Sequence, residues 1–361
     1  MPQVNRFLGL DVHAFETQAA RLDQQTGELT YRRIRGRPHE VIDYLETVPK
    51  PFRAVYEAGP TGYGLARRAA ERGLWVEVCA PGHILKRAQD RIKTDKRDAA
   101  KLARLLLAGE LRAVRIPTPE EEQLRDLVRA REDVRVDLMR ARHRLSKLLL
   151  RRELYYPGRG NAWTQRHREW LDSLRFKDRA SEVVFTDYLE AQDLLLARRD
   201  RLERELAELA AESPWAPQIA NLRALRGIDT LSATGLCAEI ADFERFAPEG
   251  LASYLGLVPC EDSSGEQRRQ GAITKAGSKH ARRLLVEAAW HYRHRPYVSE
   301  KLRRRQRDCD PRAVQIAWAA QRRLYGRWAQ LAGRRGKRET KVAVAVAREL
   351  SAFCWEVARL D

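Results

Sequence analysis

One change of hydrophobic period divides this chain and sets most of what it can fold into. From Arg6 to about Ala80 the apolar residues come in short runs bounded by turn-formers: FLGLDV, a run around LTYRRIR, RAVYEAG, and LWVEVCAP after a helical stretch that begins near Tyr63. From Thr94 the pattern is helical, with Ala99, Leu102, Leu105 and Leu106 of TDKRDAAKLARLLLAGEL forming one apolar stripe opposite charged residues. Strands interleaved with a helix, then helix throughout, predict an α/β layer followed by an all-helical region.

The helical part is itself punctuated. Pro117 and Pro119 interrupt the chain, after which Leu124, Leu127, Val134, Leu138 and Leu145 keep spacings of three, four or seven and predict a long, coiled-coil-like helix. A second such stretch carries Tyr188, Leu195, Leu202, Leu206 and Leu209, and YYPGRGN between the two lets them fold back on each other. Heptads specify packing rather than chemistry, so this segment reads as a spacer or dimerisation arm. SPWAP at 213–217 marks the next boundary. Beyond it NLRALRGIDTLSATGLCAEI predicts helix, glycine turn at Gly227 and helix, a helix-hairpin-helix arrangement whose backbone amides suit a phosphate. The expected architecture is an α/β RNase H-like domain over 1–117, a helical coiled-coil insertion over 118–212 and a mainly α C-terminal domain over 213–361.

Charge identifies the class of partner. Lys+Arg 68 against Asp+Glu 50 gives a formal +18, the profile of a polyanion binder, and 43% apolar residues are enough for real cores. The five cysteines, Cys79, Cys237, Cys260, Cys309 and Cys354, form no CxxC pair, and the histidines show no zinc spacing. No run approaches the roughly 18 apolar residues a membrane span requires, and MPQVNRFLGLDVH lacks the order of a signal peptide. A reducing, cytoplasmic setting without a membrane is expected.

Two groups of residues carry candidate chemistry. Asp11 ends the strand FLGLDV and Glu57 ends RAVYEAG, where a carboxylate needs a cation, a basic side chain or water to satisfy it. Asp95 and Asp98 lie one helical turn apart and share a face, so a helix laid across the sheet brings four carboxylates together. Such a cluster requires a divalent cation, and Mg²⁺ with oxygen ligands is the natural one for phosphate chemistry. The competing reading of TDKRDAAK is an acidic helix start that complements the helix dipole. The second group lies in CEDSSGEQRRQGAITKAGSKHARR, where a Ser-Ser-Gly turn stands among cations. Ser264 is the candidate nucleophile, spacing does not separate it from Ser263, and Ser278 reads as a helix N-cap. Candidate phosphate contacts are Lys93 and Arg97 near the acidic helix, Arg226 beside Gly227, and Arg268, Arg269, Lys275, Lys279, Arg282 and Arg283 around the serine.

At this level of detail the chain resembles the DEDD transposases of bacterial insertion sequences, the group associated with bridge-RNA-guided recombination. The resemblance rests on GLDVH, YEAGPTGYGL and KTDKRDAAKLARLL, which supply the four acids, on RGIDTLSATGLCAEIADFERF and YLGLVPCEDSSGEQRRQGAITKAGSKHARRLLVEAAW, and on the closing KVAVAVARELSAFCWEV. It runs through nearly the whole chain in the family's order. It implies a RuvC-like N-terminal domain, Mg²⁺ on Asp11, Glu57, Asp95 and Asp98, and a covalent phosphoserine intermediate at Ser264. It further implies a structured guide RNA pairing with donor and target DNA, and a dimer or tetramer in which both centres assemble across subunits. The sequence departs from the family by Ser278 after KAG, where an Asn is common, and by the second serine in CEDSSG. Competing classes are a RuvC-like Holliday-junction resolvase or nuclease that activates water without a serine, and a nucleic-acid-binding protein without catalysis. A sugar-kinase-type phosphotransferase also opens on FLGLDV, but glycine-rich phosphate loops are not evident and +18 is unusual for one.

Overall fold

The computed structural model describes residues 4–84, 94–158, 162–264 and 267–360. The chain forms two compact units, Met1–Thr118 and Pro119–Asp361.

The first unit is a five-stranded sheet covered on both faces. Strands β1 (Arg6–Val12), β2 (Glu16–Asp23) and β3 (Leu29–Arg35) form an antiparallel meander, followed by α1 (Glu40–Thr47), β4 (Phe52–Glu57), α2 (Gly64–Glu71), β5 (Val76–Cys79) and α3 (Asp95–Leu107). The strand order is β3-β2-β1-β4-β5, with β4 parallel to β1 and β5 parallel to β4, an arrangement compatible with an RNase H-like fold. The sequence pattern marks β1, β3, β4, β5, α2 and α3 but neither β2 nor α1. The period of two along each strand assigns its faces. Leu8, Leu10, Ala54, Tyr56, Val76 and Val78 pack against Leu45 of α1 and Leu65 and Ala69 of α2. On the opposite face Phe7, Val55 and Cys79 meet Leu102 and Leu106 of α3, while Ala20 meets Ala99 and Ala100.

Small residues let α3 lie this close. A β-carbon on Gly9 would stand 2.0 Å from the Ala99 carbonyl oxygen and 2.6 Å from the Ala103 nitrogen, so only glycine admits the helix backbone there. The N-cap Thr94 accepts a hydrogen bond from the Arg97 amide, and Asp95 and Asp98 fill the first turn, where the helix dipole favours negative charge.

The second unit is helical apart from one hairpin. Helices α4 (Pro119–Arg151) and α6 (Arg179–Glu212) run antiparallel, with α5 (Gln165–Ser173) at their distal end. Leu145, Leu148 and Leu149 join Leu171 and Phe185 at that end. At the other end Leu124 and Val128 meet Leu206 and Ala238. The seam is less regular than the heptad spacing predicts, because Leu209 is exposed and Ala210 is buried in its place. There follow α7 (Ala216–Leu222), α8 (Thr230–Ile240), α9 (Pro248–Tyr254), β6 (Pro259–Ser264), β7 (Gln267–Ile273), α10 (Lys279–Ala289), α11 (Glu300–Arg305), α12 (Pro311–Ala329) and α13 (Glu339–Ala358). Leu236, Leu285, Leu324 and Leu350 anchor one core shared by α8, α10, α12 and α13. The antiparallel pair β6–β7 has no counterpart in the sequence reading, which treats this stretch as a turn. Among the described residues no helix is long and apolar enough to cross a membrane, and the cysteines are free thiols.

Candidate metal centre and serine hairpin

The close seat of α3 on Gly9 brings its first turn to the end of β1. Asp11 lies two residues beyond Gly9 and therefore on the same face of the sheet. In register it stands opposite Gln18 of β2, which stands opposite Arg33 of β3. The parallel pairing of β1 with β4 runs to Leu10 opposite Tyr56, so Glu57 follows Asp11 on the neighbouring strand and this same face. Glu57 is exposed and pairs with Cys79 of β5, whose thiol is pushed up to about 11 by burial and by the Glu57 charge.

Asp11, His13 and Asp95 each present one ligand atom, and these atoms all lie within 4.8 Å of one another. The His13 amide donates to the Glu16 carbonyl at 2.8 Å, fixing the turn after β1, and its Nε2 lies 3.4 Å from Asp11 Oδ2. The Asp11 carboxyl is raised from its ordinary value mainly by burial; Asp95 and Asp98 raise it further, while His13 opposes them. Negative charge is thus concentrated at a strand end where its own repulsion favours capture of a cation, and the carboxylate oxygens fit a hard divalent ion. The fold places all four predicted acids on one side of the sheet. Asp11 and Asp95 converge with His13, Asp98 acts on Asp11 through its charge, and Glu57 stands one strand away. His13 was missed by the sequence reading, although GLDVH holds its signal: two residues past Asp11, alternation returns a side chain to the same face. Beside the centre Glu16, Gln18, Tyr31, Arg33, Thr94, Asp95 and Lys96 line an open cleft of about 520 Å³.

Ser264 is the last residue of β6, opposite Gln267 across the hairpin turn, and Arg268 stands opposite Ser263 in the backbone register. Lys93 lies outside the described residues, as do the side chains of Ser263, Ser264, Arg268 and Arg269. The base of the hairpin is held by several backbone contacts. The Thr274 amide donates to the Val258 carbonyl at 2.9 Å, and the Lys275 amide to the Gly256 carbonyl at 3.1 Å. Arg282 Nη1 donates to the carbonyls of Leu255 and Ala276, at 2.8 Å each, and so bridges the chain entering the hairpin to the chain leaving it. Gly277 has φ +63°, and a β-carbon there would meet the Tyr254 carbonyl at 2.1 Å. Ser278 caps α10 by accepting from the Ala281 amide at 3.1 Å, the role its spacing predicts.

Several predicted phosphate contacts have structural duties. Arg282 belongs to the hairpin base. Arg226 Nη1 donates to the Arg295 carbonyl at 3.0 Å, and Arg283 pairs with Glu132 at 2.6 Å and Glu287 at 2.7 Å. The amides at the start of α8, expected to hold a phosphate, meet a carboxylate instead: Asp229 accepts from the Ser232 amide at 2.9 Å. An acidic cap at that point repels an anion. Lys275 and Lys279 are exposed, and Arg97 stands in the first turn of α3. An ionic network around the buried Glu239 ties α4 to α8 and α10. Arg129 donates two hydrogen bonds of 3.1 Å to Glu239, and His280 Nδ1 lies 3.6 Å from the same carboxylate. Burial alone would raise the Glu239 carboxyl, but the neighbouring His280 and the hydrogen bonds and charge of Arg129 outweigh it and take the pKa down to about 2.

The chain is similar to known transposases over most of its length. Residues 8–153 match a DEDD transposase family model, and residues 219–303 match a model described as the transposase IS116/IS110/IS902 family. A Sinorhizobium fredii chain named as a transposase, y4qE, is 38% identical over 359 residues, covering 98% of this chain and 88% of its own. The transposase for insertion sequence element IS1533 of Leptospira borgpetersenii is 30% identical over 342 residues, covering 92% and 98%. These matches define the class as a transposase with a DEDD domain, an enzyme that acts on DNA. Within that class, the chain belongs to the IS110 family of insertion-sequence transposases.

Proposed function

We propose that this transposase cuts and rejoins donor and target DNA through a covalent phosphoserine at Ser264, with Asp11, Glu57, Asp95 and Asp98 as the residues that hold Mg²⁺. The observation that carries the metal half of this reading is the meeting of Asp11 and Asp95 at the seat of α3 on Gly9, on the sheet face that also presents Glu57, while the serine half is supported by the family resemblance. When bound, the cation would position and polarise a phosphodiester. Ser264 Oγ forms a bond to phosphorus as one strand oxygen leaves and takes up the proton the serine gives, and the hydroxyl of a second strand then attacks the phosphoserine, rejoining DNA and returning its proton to the released serine. Lys275 and Lys279, with Lys93, Arg97, Arg268 and Arg269, contact nucleic-acid backbone, and a +18 chain suits many such contacts. Sequence choice is delegated to a structured guide RNA, a role supported by the family resemblance and by the charge. The α4–α6 pair serves as the coiled-coil insertion, spacing or dimerising protomers of a cytoplasmic homo-oligomer.

A RuvC-like resolvase or nuclease would need the acids alone. Recombination of donor and target plasmids in Mg²⁺, with the RNA transcribed from the flanking element, separates the two. Recombinant junctions are expected with the wild-type chain and are lost with Asp11→Asn, Asp95→Asn and Ser264→Ala. A Ser264→Ala variant that still forms junctions would overturn the serine mechanism.

A further inference from the structure

His13 has no place in a four-carboxylate site, yet its imidazole converges with Asp11 and Asp95. Its backbone is set by the hydrogen bond to the Glu16 carbonyl, and its side chain is 56% exposed, so burial does not force the imidazole toward Asp11. The Nε2–Oδ2 distance of 3.4 Å is long for a hydrogen bond. It is close to the spacing of neighbouring ligands around a divalent ion, roughly 3 Å for bonds of about 2.1 Å. Glu16, the other nearby acid of that turn, is already paired with Arg33.

We propose that His13 is a direct ligand of the cation held by Asp11 and Asp95, making the centre a mixed nitrogen and oxygen site that prefers Mn²⁺ to Mg²⁺. The inference rests on the reading of the Asp11 centre as a divalent-cation site. An imidazole nitrogen favours the softer first-row ion, whereas Mg²⁺ favours oxygen throughout. The alternative role for His13 is a countercharge for Asp11, and the two roles predict opposite signs. Removing a ligand weakens binding, whereas removing a competing cation strengthens it or leaves it unchanged.

The test is titration of the full-length chain with Mn²⁺ and, separately, Mg²⁺ by calorimetry, with pulsed electron paramagnetic resonance of the bound Mn²⁺. The wild type is expected to show ¹⁴N coupling from a bound imidazole. His13→Ala and His13→Gln should lose that coupling and bind Mn²⁺ at least tenfold more weakly, with a smaller loss for Mg²⁺; circular dichroism melting of both variants checks that they fold. Wild-type Mn²⁺ binding without ¹⁴N coupling, or His13 variants that bind Mn²⁺ as tightly as the wild type or more tightly, overturns the His13 assignment alone. Failure of the wild type to bind either ion at a site sensitive to Asp11→Asn overturns the metal-centre reading, and this inference with it.

Discussion

The acidic centre and the serine hairpin reach their positions by different physical routes. Asp11, Glu57, Asp95 and Asp98 come from three elements far apart in sequence, and Asp11 and Asp95 meet, with Asp98 and Glu57 on the same side of the sheet, because a helix backbone fits against a strand at Gly9. Ser264 sits at the end of a short two-stranded ribbon whose shape is fixed within some two dozen residues, by Gly256, Gly277 and Arg282. A centre assembled by long-range packing fails when the packing fails; one carried on a clamped ribbon can be displaced while its unit stays folded.

The largest effect expected from this contrast is at Gly9. In Gly9→Ala the new methyl has a backbone oxygen at 2.0 Å, and neither element can yield cheaply. The sheet unit should lose about 3 kcal/mol or more, read as a fall in thermal midpoint, together with divalent-ion uptake. A variant that binds metal as the wild type does would show that the close seat of α3 on Gly9 is not what brings Asp95 to Asp11.

Next is Glu239, the buried anchor between α4 and α8. Glu239→Gln should cost the helical unit about 2 kcal/mol at neutral pH, because a buried carboxylate site loses its charge-assisted hydrogen bonds while Arg129, more than half exposed, is still screened by water. Its folded pKa of about 2 lies below the ordinary 4.5, so the stabilisation is complete above roughly pH 4.5 and is lost as pH falls toward 2. Urea unfolding across that range should show the loss in the wild type and a flatter profile in Glu239→Gln. Gly277→Ala is expected to cost about 1–2 kcal/mol, from a side chain at positive φ against the Tyr254 carbonyl. It should lower recombination while leaving metal binding intact, which separates the two centres directly. The smallest effects belong to Lys275→Ala and Lys279→Ala. Each should weaken DNA binding uniformly across sequences and reduce its salt slope by about 1, measured by filter binding at several salt concentrations.

The acids were legible because strand ends and a helix start leave local marks: an apolar run closed by Asp11, another closed by Glu57, and Thr94 followed by Asp95 and Asp98. Strand β2 was not, since Ala20 must be small under α3, and with Ala19 on the opposite face and Gln18 beside it the strand gives no apolar alternation. The same demand for closeness made Gly9 look like one more residue of an apolar run. The β6–β7 hairpin escaped for the opposite reason: CEDSSGEQRRQGA is polar on both faces, so no buried side imposes a period of two. The roles of Arg226 and Arg282, and the pairing of Arg283 with Glu132, were hidden because those acceptors, carbonyls and a distant glutamate, carry no signal in the neighbouring sequence. His13 stands one step past the end of β1, where strand alternation is no longer read but still operates.

The two-centre account is tested most directly by the protein–DNA linkage itself. Donor and target DNA, end-labelled and incubated with the protein, its RNA and Mg²⁺, are quenched in detergent and run on a denaturing gel. The wild type and Ser263→Ala should retain label on the protein, with the linkage mapped to Ser264 by mass spectrometry. Ser264→Ala and Asp11→Asn should show neither adduct nor cleaved strand. Cleavage by Ser264→Ala at the wild-type rate, without any adduct, would contradict the account and leave a metal-dependent nuclease.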